Sequence, residues 1–100
     1  MSLVLDGTTG IVTLNASSQG VGGSATNTAL GSQALSNGSQ TGTSNTAIGA
    51  QSLYSNTTAT NNTAVGFQAG YSQSTGTQMT AIGKGALYTY TGGSANTAVG

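Results

Sequence analysis

Acid–base or covalent catalysis needs a titratable or nucleophilic group held close to a partner. Across 100 residues this chain offers Asp6, Lys84 and four tyrosines, with no histidine and no cysteine. That removes the imidazole base, the thiol nucleophile, the zinc site and the disulfide framework. The acidic ligands of a calcium-binding repeat are missing too. The expectation is a protein that is not an enzyme and carries no cofactor and no metal. One lysine cannot make the basic patch that phosphates or anionic lipid surfaces require, so neither nucleic acid nor membrane insertion is expected. Hydroxyls and rings remain. Thr41-Gly42-Thr43, Thr58-Ala59-Thr60 and Thr75-Gly76-Thr77 recur at nearly one phase, and such rows on a flat face could order water. Against this, Gly92-Gly93-Ser94 takes that phase in the next unit, and a central glycine suggests a turn. Tyr54, Phe67, Tyr71, Tyr88 and Tyr90 could stack on sugar faces at a surface, or pack between coils or chains.

These groups are set in a repeat. Asn27-Thr28-Ala29-Leu30-Gly31 returns as Asn45-Thr46-Ala47-Ile48-Gly49 and Asn62-Thr63-Ala64-Val65-Gly66. A variant, Met79-Thr80-Ala81-Ile82-Gly83, precedes Asn96-Thr97-Ala98-Val99-Gly100. The closing glycines are 18, 17, 17 and 17 residues apart. A fixed period near 20 residues marks a stacked-repeat protein. Each unit has a second half, Ala34-Leu35, Ser52-Leu53-Tyr54, Ala69-Gly70-Tyr71 or Ala86-Leu87-Tyr88, before a polar return stretch.

Helix is a poor choice for either half. Glycine interrupts every unit, and Thr, Asn, Ser and Val are middling helix formers. Two short strands with a bend at the glycine fit better, because glycine turns the chain at positive φ without a side-chain clash. The expected fold is all-β, a parallel β-solenoid of ~17-residue coils with rungs about 4.8 Å apart. Register predicts columns. Leu30, Ile48, Val65, Ile82 and Val99 form one buried aliphatic line, beside the glycines Gly31, Gly49, Gly66 and Gly83. Leu35, Leu53 and Leu87 form a second, with Gly70 as a gap. Tyr54, Tyr71 and Tyr88 form a third, and Asn27, Asn45, Asn62 and Asn96 an amide ladder that Met79 breaks. Two aliphatics per coil are a thin core, so alanine, threonine or tyrosine columns are expected to bury against other chains, as in a closed homo-oligomer.

By composition the chain divides into 1–14, 15–26 and 27–100, with units 27–44, 45–61, 62–78, 79–95 and the incomplete 96–100. Leu3-Val4-Leu5 and Ile11-Val12-Thr13-Leu14 read as a hairpin around Asp6-Gly7-Thr8-Thr9-Gly10, serving as a cap or trimer-joining segment, or belonging to an upstream domain or linker. Residues 15–26 have loop composition. Disorder is the competing structural expectation for a Gly/Ser/Thr/Asn-rich chain, but apolar residues at fixed phase argue against it. The Asn-x-Ser/Thr sites at Asn15, Asn37, Asn56 and Asn61 read as chance matches in such a composition. Met1 to Leu5 is too short for the apolar part of a secretory leader, so synthesis in a cytoplasm is expected.

The units 45–58 and 62–71 resemble repeats of bacteriophage tail fibres, particularly those of cyanophages. They are also similar to the head repeats of trimeric autotransporter adhesins, whose Ala-Ile-Gly core recurs in a β-roll. The resemblance covers roughly residues 27–100. It implies a homotrimer of three β-rolls about one axis, a rigid stalk or adhesive head in the virion. The implied partners are the chain itself, other virion proteins, and a host cell-surface glycan or protein. Autotransporter units are shorter than these, and their leader and anchor are not seen, which favours the phage likeness over an extracellular or cell-surface adhesin. The chain stops midway through a unit, so it is expected to be a fragment, a processed product or the ordered part of something longer. Ice binding and self-assembly into a filament are the other functions the composition allows.

Overall fold

The structure, a computed structural model, describes residues 2–6, 11–15, 26–36 and 41–100. Most of the expected 15–26 connection and part of the first return stretch lie outside the described residues. β1 (Ser2–Asp6) pairs antiparallel with β2 (Ile11–Asn15), from Ser2 opposite Asn15 to Asp6 opposite Ile11.

The repeats form one parallel sheet in chain order. β3 (Thr28–Leu30), β4 (Thr46–Ile48), β5 (Thr63–Val65), β6 (Thr80–Ile82) and β7 (Thr97–Val99) are each one rung. Threonine pairs with threonine, alanine with alanine and aliphatic with aliphatic through all five strands. The chain is a β-solenoid of about four turns.

Only the first half of each unit is strand. The second half, expected to be another strand, is a run of turns whose backbone still bonds to the neighbouring coil. Leu35 N–H donates to the Ser52 carbonyl at 3.0 Å, Leu53 to Ala69 at 3.0 Å and Gly70 to Ala86 at 2.8 Å. The chain is curled too tightly there for extended residues. Gly31, Gly49, Gly66 and Gly83 turn it at φ of 129°, 125°, 132° and 122°. Two residues later Gln33, Gln51 and Gln68 sit at φ of 60°, 58° and 58°, and two further on Leu35, Leu53 and Leu87 at 49°, 48° and 53°. Left-handed backbone is costly for residues with a Cβ. Here it recurs at fixed phases of the repeat, held by inter-coil bonds such as Gln51 N–H to Ser32 and Gln68 N–H to Ala50. The glycine column also has a steric reason. A Cβ on Gly49 would lie 2.6 Å from the Gly66 carbonyl oxygen, and one on Gly66 2.6 Å from that of Gly83.

The largest departure from the sequence reading is the direction the strands face. Residues alternate across a strand, so in Thr-Ala-aliphatic the threonine and the aliphatic share a face. The structure turns alanine inward. Ala47, Ala64 and Ala81 are fully buried, whereas Leu30 is 58 % exposed, Ile48 38 % and Val99 76 %, with Val65 and Ile82 half-buried. The expected aliphatic column exists in register but stands outside the coil. The interior is too narrow for branched side chains from this wall, because Ala34, Leu35, Ser52, Leu53, Ala69, Ala86 and the ladder asparagines already fill it. The leucine column is internal, with Leu35 and Leu53 buried and Leu87 packed against the core.

The amide ladder is the other internal wall. Asn45 N–H donates to Asn27 Oδ1 at 2.9 Å, Asn62 N–H to Asn45 Oδ1 at 3.0 Å, and Met79 N–H to Asn62 Oδ1 at 2.8 Å. Each Nδ2 reaches across its own coil: Asn27 to the Gly42 carbonyl at 2.8 Å, Asn45 to Ala59 at 2.8 Å, and Asn62 to Gly76 at 3.0 Å. Each asparagine thus ties a strand start to the next coil and to its own return segment, and few buried amide groups are left unmatched.

Candidate functional site: the outward faces of the coil

Three outward surfaces carry the residues whose chemistry could meet a partner. The first is the strand face. Its threonine row is Thr28, Thr46, Thr63, Thr80 and Thr97; its aliphatic row is Leu30, Ile48, Val65, Ile82 and Val99. Both rows advance about 4.8 Å per rung. Neither contains a charge. Beyond the glycine corner, Phe67 is 46 % exposed, in phase with Ala50 before it and Lys84 after it. A branched side chain on every rung, exposed at Leu30, Ile48 and Val99 and half-buried at Val65 and Ile82, is a continuous apolar strip, the kind of surface that marks an interaction site.

The second surface is the tyrosine line. Tyr54 and Tyr71 stack with ring centroids 5.0 Å apart and planes 4° from parallel, and Tyr71 and Tyr88 at 4.9 Å and 14°. The expected stack is present, and its geometry alters what it can bind. Each inner face is covered by the next ring, so Tyr71 has no free face for a sugar. The line offers edges and hydroxyls instead. Tyr90 does not join it. This ring is half-buried, its hydroxyl accepts from Asn96 Nδ2 at 2.6 Å, and it packs where a side chain on Gly93 would stand. Its hydroxyl is thus engaged within the coil while part of the ring stays at the surface.

The third surface is the Thr-x-Thr segment. Thr41, Thr43, Thr58 and Thr75 are exposed, Thr60 and Thr77 half-buried, and the central Gly42, Ala59 and Gly76 buried. Gly93, the central glycine of Gly92-Gly93-Ser94, has a φ of 108°, as the expected turn requires, whereas Gly42 and Gly76 are not left-handed. They are glycine for another reason: a Cβ on Gly42 would collide with the Ala59 carbonyl, and one on Gly76 with the Gly93 carbonyl. Some hydroxyls are engaged, Thr41 with the Thr57 carbonyl at 3.3 Å and Thr77 with Ser94 at 3.0 Å.

One feature was not anticipated. Gln51 Nε2 donates to Gln33 Oε1 at 2.9 Å and Gln68 Nε2 to Gln51 Oε1 at 2.9 Å, a second amide ladder outside the coil. Its signal was a glutamine two places after the repeat glycine in three successive units, interrupted by Gly85. Compared with known proteins, the chain matches no family model, no curated protein and no solved structure.

Proposed function

We propose that the chain is a structural and adhesive segment of a virion tail fibre. Copies join as a homotrimer through the outward threonine–aliphatic strand face and form a stiff support for contact with a host-surface glycan or protein. The observation that carries this reading is the aliphatic ladder standing outside the coil. A partner that covers it along its length must present apolar groups at the same rung spacing, and a second copy of the chain does so by construction. The absence of charge on the face removes the repulsion that like copies would otherwise feel. Multiplied by trimer symmetry, weak contacts along the remaining faces give avidity. Sedimentation or native mass measurement tests it. The expected result is a trimer that Ile48→Lys with Ile82→Lys converts to monomers, with the β spectrum retained. A wild-type chain that stays monomeric at high concentration sinks the proposal.

A second reading, ice binding, is favoured by the outward threonines and by Gly42 and Gly76, which do not turn; Gly93, at a φ of 108°, ends the row. Rows about 4.8 Å apart, with neighbours about 6.6–6.8 Å apart along the segment, make a flat hydroxyl grid. Thermal hysteresis by a monomeric wild-type chain, abolished by Thr58→Lys with Thr75→Lys, would support it and count against the trimer.

A further inference from the structure

We propose that the interior of the third coil holds one water molecule, shared between the Gln73 side-chain amide and the Gly93 carbonyl, and that this water completes the internal ladder where Met79 interrupts it. The proposal does not depend on the fibre reading.

Gln73 is fully buried, and neither Nε2 nor Oε1 has a hydrogen-bond partner. A buried amide without partners is among the costlier defects a fold can carry, and such groups are ordinarily matched by protein or by internal water. The place of this one is set by the ladder. Asn27, Asn45 and Asn62 serve the carbonyls of Gly42, Ala59 and Gly76 in turn. The next carbonyl in that series is Gly93, and the residue due to serve it is Met79, whose thioether has no hydrogen to donate. Gly93 O and Gln73 Nε2 converge on one point, since a Cβ on Gly76 would collide with both. Donor and acceptor are therefore closer together than two hydrogen-bond lengths, yet make no direct bond. A water standing beside the line between them can bond to both.

The following coil shows the same arrangement with the oxygen supplied by protein. Asn56, Gln73 and Tyr90 are in phase, and the residue three places on is Ala59, Gly76 or Gly93. The longer the side chain, the smaller the residue that makes room for it: Gly76 for Gln73 and Gly93 for Tyr90. Tyr90 is long enough to bring its own hydroxyl to the ladder line, where it takes the Asn96 amide at 2.6 Å. Gln73 is shorter, and the water supplies the oxygen it cannot reach.

The test is water-to-amide magnetisation transfer to the Gln73 side-chain NH2 in the labelled, otherwise unaltered chain. The expected result is a cross peak with the sign of a long-residence water. Its absence overturns the proposal, because the amide is then dry or bonded directly. Gln73→Met supplies an independent readout. If a water is bridged there, removing the amide strands it and Tm falls by about 4–8 °C; if the amide sits in a dry interior, removing it raises Tm, and the proposal fails.

Discussion

From Asn27 to Asn62 the line of strand starts is a relay of amides, each accepting from the backbone above and donating to a carbonyl across the coil. At Met79 the backbone takes the same path, with Thr80, Ala81 and Ile82 in register on both sides, but the buried side chain at the strand start is apolar. The methionine fills space that another change created. A Cβ on Gly70 would lie 2.7 Å from Met79 Cε and 3.0 Å from Leu53 Cδ2, and Gly70 stands where the other coils have leucine. Two departures from the repeat, Leu to Gly and Asn to Met, are thus paired in space, the longer methionine reaching into part of the room that the missing leucine leaves. The difference between the regions teaches that coil geometry is set by the glycine corners and the inter-coil backbone bonds. Either polar satisfaction or apolar filling can occupy the interior, provided the volume balances.

The comparison breaks most easily at the element both regions share. Gly66→Ala adds a Cβ 2.6 Å from the Gly83 carbonyl oxygen at a left-handed φ. Unfolding by denaturant is expected to show a loss of about 3–5 kcal/mol. The next largest effect separates the regions. Asn45→Leu leaves the Asn62 N–H without its acceptor and takes from the Ala59 carbonyl the shorter of two donors, Asn56 Nδ2 remaining at 3.3 Å; it is expected to cost about 2–4 kcal/mol. Met79→Leu, an apolar exchange of similar volume, is expected to cost less than about 1.5 kcal/mol in the same assay. Equal costs would show that the ladder is not what holds its region.

A double-mutant cycle sharpens the point. Gly70→Leu alone is expected to destabilise by about 1–3 kcal/mol through collision with Met79. Backbone strain is not the obstacle, since Leu35, Leu53 and Leu87 adopt a similar φ. Gly70→Leu with Met79→Asn restores the regular rung and is expected to recover most of the loss, a coupling of about 1–3 kcal/mol. Additive costs would mean the two changes are unrelated. The smallest effect is Ile48→Thr on the outward face, within about 0.5 kcal/mol in a monomer, with a loss of association in the proposed trimer.

The period, the parallel stack, the glycine corner, the leucine column and the stacked tyrosines were legible because each is a residue type repeated at fixed spacing. The direction of the strand was not. In a three-residue strand, alternation allows either Ala29 or the pair Thr28 and Leu30 to face inward, and hydrophobicity favours the wrong choice. A cue was present: that alanine is unchanged in all five units, whereas the aliphatic varies among Leu, Ile and Val. A position that tolerates a change of volume is less tightly enclosed than one that does not. The bond from Asn96 to Tyr90 was not legible for a related reason, since a tyrosine outside the column at 54, 71 and 88 had no register partner to locate it. The role of Met79 depended on Gly70, nine residues back, a link that only the coil geometry makes.

The backbone bonds that unite the coils run along the stacking direction. Tension applied to the two ends of the stack therefore meets them one coil at a time. Such a molecule lengthens under load by unspooling: each released 17-residue turn supplies about 56–61 Å of extended chain. A tether that yields in equal increments keeps its far end attached while the intact turns hold their shape.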